Sequence, residues 1–209
     1  MLNQSIKYAR PHRNLPLALI VLSILALPVV APHATGAVFV YDANLDGPSE
    51  SPANASPGTG FAQVDYDNLL HTLTVQVTFS GLIGTTTASH IHSATAIPGT
   101  STAGVATTTP YFSGFPIGVT SGSYLNTLDL TLASSYNPAF VTANGGTTAS
   151  AEAALIAGIN AGEAYLNIHT TVVPGGEIRG FLTAVPEPST FALAGVGAAA
   201  LLIFRRRRT

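Results

Sequence analysis

Cysteine is absent from the 209-residue chain, which excludes disulfides and thiolate-held metal sites. Charge is scarce as well, since Asp, Glu, Lys and Arg together make up 9 % of the residues, low for a soluble domain. The scarcity is sharpest for cations. The eight Lys and Arg residues are Lys7, Arg10, Arg13, Arg179 and the run Arg205 to Arg208. Between Val38 and Ala184, Arg179 is the sole strong cation among nine acids (Asp42, Asp46, Glu50, Asp65, Asp67, Asp129, Glu152, Glu163 and Glu177), a net charge of −8. Nucleic-acid binding requires Lys and Arg to neutralise phosphates, so that class is excluded. Several catalytic templates are missing too. There is no G-x-S-x-G elbow, no Gly-rich phosphate loop and no Cys nucleophile.

What is present begins at the two ends. Lys7, Arg10 and Arg13 precede an apolar run from Leu15 to Val30, followed by Ala34-Thr35-Gly36-Ala37. That order predicts a secretory signal helix over 1–37, cut after Gly36 or Ala37, with an uncleaved anchor as the alternative. The tail, 185–209, holds Pro186-Glu187-Pro188, an apolar run over 191–204 and arginines at 205–208. Fourteen apolar residues fall short of the ~20 that span a bilayer comfortably. The arginines would hold that end in the cytoplasm. This tail closely resembles the PEP-CTERM sorting signal of Gram-negative bacteria. The resemblance implies transient inner-membrane anchoring, recognition by an exosortase and release to the cell surface or exterior. It also implies an association with exopolysaccharide, biofilm matrix or other envelope components.

The middle, 38–184, is rich in Thr, Val, Leu and Gly, which predicts a single all-β domain. Strands are expected at Val38–Tyr41, Phe61–Tyr66, Leu69–Phe79 and Tyr124–Leu132, with a loop over Pro48–Gly60. In the third, Leu69, His71, Leu73, Val75, Val77 and Phe79 alternate with Leu70, Thr72, Thr74, Gln76, Thr78 and Ser80, which places His71 on the apolar face. Asp65 and Asp67 read as a solvated strand end. One short helix is expected after Ser150 as N-cap, with Glu152 in its first turn. A closing hairpin pairs Tyr165–His169 with Glu177–Leu182 across Val173-Pro174-Gly175-Gly176.

Two features carry chemistry. His90 and His92 sit at i and i+2, so on a strand both imidazoles project from one face. With His169 they make three nitrogen donors, enough for copper or zinc if the strands converge. The alternative is a hydrogen-bonded structural cluster of these histidines with Tyr165, Asn167 and nearby carboxylates. Arg179 shares a strand face with Glu177 and, if buried, needs a carboxylate partner. Tyr111, Phe112 and Phe115 suggest a third reading, glycan stacking.

In order along the chain, Glu50-Ser51-Pro52, Phe79-Ser80-Gly81-Leu82, Ala88-Ser89-His90-Ile91-His92, Gly162-Glu163-Ala164-Tyr165-Leu166-Asn167-Ile168-His169-Thr170 and Pro174-Gly175-Gly176-Glu177-Ile178-Arg179-Gly180 resemble the CHRD domain, first described in chordin. Thr95 to Gly122 departs from it, being longer and richer in Thr. The resemblance implies an antiparallel β-sandwich or barrel in an extracellular module, and no particular activity. The function expected is that of an exported binding or structural module of non-enzymatic character. The alternative is a copper- or zinc-binding or redox protein using His90, His92 and His169.

Overall fold

A computed structural model describes residues 36–186. Residues 1–35 of the expected signal helix and all of the sorting tail beyond Pro186 lie outside them. Among the described residues no helix is long and apolar enough to cross a membrane.

The chain folds into a curled antiparallel sheet shaped as a half-barrel. Its strands are β1 (Val38–Asp46), β2 (Thr59–Asp67), β3 (Thr72–Ser80), β4 (Thr86–His92), β5 (Gly122–Asp129), β6 (Tyr165–Thr170) and β7 (Ile178–Phe181). They lie in the order β4-β6-β7-β1-β2-β3-β5, and the two-residue β8 (Thr183–Ala184) adds to β1. The meander β1-β2-β3 follows from alternation. In β3, Leu73, Val75, Val77 and Phe79 are buried while Gln76, Thr78 and Ser80 face out. Each such buried aliphatic side chain contributes about 1.5–3 kcal/mol relative to exposure. Phe79 stacks on Phe115, and Phe112 on Tyr124.

Two helices lie between β5 and β6. Asn137 caps α1 (Pro138–Ala143), with Pro138 in its first turn, where a missing N–H is harmless. The longer α2 (Thr148–Asn160) opens with a reciprocal capping box between Thr147 and Ser150. The helix expected after Ser150 therefore starts a turn earlier, because Ser150 serves as the third residue of the box.

Two expectations about this region are corrected. The strand predicted from Leu69 begins only at Thr72, because Asp67 accepts the backbone N–H of both Leu69 and Leu70 and turns the chain. His71 then adopts φ 53° and leaves the core face. Its Nδ1 meets the Glu152 carboxylate at 2.9 Å, and the Tyr66 hydroxyl donates to the same group at 2.7 Å. Glu152 is thus a buried tie between the sheet and α2, not an exposed dipole partner.

The closing hairpin forms as expected, and its glycines have specific reasons. At Gly176, with φ 130°, a Cβ would sit 2.4 Å from Nδ2 of Asn167. At Gly180 a Cβ would sit 2.2 Å from the backbone oxygen of Asn44, so only glycine lets β7 approach β1 this closely.

Candidate metal centre

Register builds the site. Ala88, His90 and His92 of β4 stand opposite His169, Asn167 and Tyr165 of β6. Asn167 and Tyr165 in turn stand opposite Arg179 and Phe181 of β7. Directly opposed residues share a face, so three strands project three histidines, Asn167, Tyr165 and Arg179 to one side. The other side carries Ile91, Leu166, Ile168 and Ile178, all fully buried. The polar face therefore sits on a rigid apolar backing.

It is also roofed. The Thr-rich segment after β4 covers it: Ser101 O accepts from Arg179, Ala103 O accepts from His92, and the Ala103 N–H donates to the Tyr165 hydroxyl. His90 and His92 keep only 6 % and 9 % of their surface exposed, and Arg179 only 3 %. The glycan reading is corrected, because Phe112 and Phe115 are buried in the core and only Tyr111 is exposed.

The imidazoles are packed edge to face. Ring centroids of His90 lie 4.7 Å from His92 and 4.8 Å from His169. One candidate ligand atom from each of the three lies within 4.8 Å of the others. Bonds of 2.0–2.1 Å at tetrahedral angles set nitrogens about 3.4 Å apart, so the rings must draw in by roughly an ångström to close on an ion.

Backbone carbonyls fix two tautomers. Nδ1 of His92 donates to Ala103 O and Nδ1 of His169 donates to Pro174 O, each at 2.8 Å. A carbonyl only accepts, so each Nδ1 carries the proton and each Nε2 carries the lone pair. Neither Nε2 has a protein partner, and neither does Nδ1 of His90. Seven buried side-chain polar atoms among the described residues lack a partner. Four of them lie on this one face, the fourth being Oδ1 of Asn167. Buried polar atoms are ordinarily hydrogen-bonded, so a concentration of four on one face stands out. No carboxylate bonds any of the three imidazoles.

Burial keeps His90 and His92 neutral well below neutral pH. Burial, then the charge of His92 and His169, pushes His90 down to about 3. Burial likewise pushes His92 down to about 4, against the Ala103 hydrogen bond. Burial lowers His169 as well. Neutral imidazole is the form that ligates metal.

Beside the histidines lies a second layer. Tyr165 stacks on His92 with ring centroids 4.6 Å apart and 6° between planes. The Arg179 guanidinium sits 4.7 Å from the centre of the Tyr165 ring. Arg179 donates to the carbonyls of Ser49 and Ser101 and pairs with Glu50 at 3.8 Å. Asn167 donates to the same Glu50 carboxylate at 3.0 Å. Burial raises Glu50 to about 7, against the attraction of Arg179.

Glu177 does not join this network. Its carboxylate accepts from Ser56, Thr170 and the N–H groups of Ile83 and Gly84. The carboxylate that the lone arginine required is Glu50, and sequence reading did not assign it that role.

The CHRD domain family model matches residues 41–182. The chain belongs to the CHRD domain family. A PEP-CTERM protein-sorting motif matches residues 184–208, which marks this CHRD protein for export and exosortase processing. No curated protein and no solved structure matches the chain.

Proposed function

We propose that this CHRD protein is an exported, non-enzymatic envelope or biofilm-matrix module that holds one transition-metal ion, copper or zinc. The ligands are Nε2 of His92, Nε2 of His169 and Nδ1 of His90. The observation that carries the reading is the set of three unpartnered buried imidazole nitrogens meeting on one strand face. A purely structural cluster would have used those nitrogens in hydrogen bonds. In the processed protein the ion would be presented outside the cell, after transient insertion of the tail in the inner membrane and severance by the exosortase. Tyr165 and the Arg179–Glu50–Asn167 group position the ligands rather than bind the ion. The non-enzymatic character rests on the roofed site and the missing catalytic templates.

The decisive experiment is metal analysis of the mature exported protein after loading with copper or zinc and removal of free ion. One ion per chain is expected, and near zero in His90→Ala/His92→Ala. Retention unchanged in that variant, or none in the wild type, overturns the metal reading. Fractionation tests the destination. Mature protein should reach the surface or medium, and deleting 186–209 should hold it back; mature protein in the cytoplasm contradicts the assignment.

A further inference from the structure

The end of the sheet where β1 begins is apolar and uncovered. Val38 and Phe39 lead β1, and both are exposed. Leu69 and Leu70 lie in the turn between β2 and β3 and are 60 % and 65 % exposed. Register brings the two segments together, since Val38 stands opposite Asp67, and Phe39 stands opposite Tyr66 and stacks on its ring. Beyond them, Ala37 and Asn68 exchange hydrogen bonds. On the other flank of β1, exposed Val185 donates its N–H to Val40 O and shares a small cleft of about 80 Å³ with Phe39. Five of the thirteen exposed large apolar side chains among the described residues therefore meet at one end.

The turn itself is built to present its leucines. Turn centres ordinarily carry Gly, Pro, Asn, Asp or Ser. Here Asp67 accepts the N–H of both Leu69 and Leu70, which fixes the backbone while both side chains stay in solvent. The chain then says what lies against this end. It leaves the domain at Val185, and the apolar run of the tail starts at Phe191. The five steps from Pro186 to Phe191 reach at most about 18 Å, whereas the nine residues of β1 extend about 30 Å. With the apolar run in a bilayer, the leash is shorter than the sheet. This end must stay beside the lipid while the far end stands clear of it. Charge dictates the kind of contact. The domain's only strong cation, Arg179, is buried, so nothing on this end seeks anionic headgroups.

We propose that Val38, Phe39, Leu69, Leu70 and Val185 form a lipid-contact surface that seats the domain on the outer face of the inner membrane while the tail is inserted. The partner is the boundary between headgroups and acyl chains, met by apolar contact alone. This rests on the transient insertion put forward above. A contact of this size is weak by itself and becomes effective through the high local concentration that the tether imposes, so severing the tail frees the protein. Seated in this way, the domain holds Pro186-Glu187-Pro188 at the membrane surface during processing.

Because the chain has no cysteine, one introduced thiol can be labelled cleanly. Leu70→Cys and Val172→Cys, each carrying bimane, are made in the signal-processed chain with its tail intact. Val172 is exposed as well, but it lies in the β6–β7 turn, beside the end of the sheet where β1 finishes. Each protein is reconstituted into phosphatidylcholine vesicles containing doxyl-labelled lipid. The label at 70 should lose at least about half of its fluorescence and the label at 172 almost none. A label at Leu69 repeats the reading if the first disturbs the fold. Equal quenching at both positions, or none at either, in chains that float with the vesicles overturns the lipid surface and leaves tail insertion standing. Chains that do not float remove insertion and the proposal with it. Bimane emission at 70 that is blue-shifted equally without lipid, in protein that sediments as a dimer, gives the surface to a second copy and likewise overturns the proposal.

Discussion

Replacing Glu177 with alanine is expected to destabilise the domain by about 3–5 kcal/mol, because four buried or half-buried donors lose their acceptor at once. Glu177 is fully buried. Its two oxygens receive the Ser56 hydroxyl at 2.6 Å, the Thr170 hydroxyl at 2.6 Å, and the N–H groups of Ile83 and Gly84 at 2.7 and 3.1 Å. These donors come from the loop before β2, from β6 and from the β3–β4 connection, so one carboxylate fastens three separate segments. Burial alone would raise its pKa, but the four donors outweigh it and hold the group below its ordinary 4.5. The tie therefore contributes above about pH 4.5 and is lost as pH falls through the lowered value. For a domain of this size the loss corresponds to a fall of roughly 6–20 °C in Tm, read by thermal or denaturant unfolding at neutral pH. Glu177→Gln keeps one accepting oxygen and should lose less. A loss below 1 kcal/mol for the alanine variant would show that the carboxylate is not a structural tie.

His90→Leu should have the opposite sign. In the metal-free protein it is expected to raise stability by about 1–3 kcal/mol at neutral pH, since an unpartnered buried nitrogen is removed and an apolar side chain of similar size takes its place. The same variant should abolish any metal-dependent rise in Tm, which for the wild type is worth about 2.7 kcal/mol at a hundredfold excess over Kd. The pH profile carries a second signature. Folded His90 stays neutral to about pH 3 and His92 to about pH 4, while the unfolded chain protonates near 6.5. Stability of the metal-free wild type is therefore full above pH 6.5 and declines as pH falls towards 3. His90→Leu should shallow that decline. A structural role for His90 predicts the reverse, a metal-free variant that is clearly less stable than wild type.

Much of this was legible in the residues, and the reason is locality. The closing hairpin shows itself because turn chemistry at Pro174-Gly175-Gly176 lies between two alternating runs. The shared face of His90 and His92 follows from strand period alone. That His169 joins them depends on the β4–β6 register, which sequence patterning leaves open. What could not be read depends on long-range pairing. Glu50 reaches Arg179 across 129 positions of chain, and Glu177 reaches Ser56 across 121, although strand period had put Glu177 and Arg179 on one face. The dihedrals explain that miss, since Glu177 precedes β7 and leaves a Gly176 at φ 130°, so strand alternation does not extend back to it. His71 escaped for a similar reason, because an Asp67-centred turn ended the pattern three residues before β3 began. The carbonyls of Ala103 and Pro174, which set the two tautomers, carry no side-chain signal at all.

The central claim is that the lone pairs of three particular nitrogens hold the ion. Histidine-selective ¹⁵N NMR of the mature protein, with and without a diamagnetic ion (Cu(I) or Zn(II)), tests it most directly. On loading, Nε2 of His92 and His169 and Nδ1 of His90 should move to metal-bound shifts. The Nδ1–H protons of His92 and His169 should persist, held by Ala103 and Pro174. Unchanged imidazole nitrogens in a sample that retains metal would place the ion elsewhere and contradict the account.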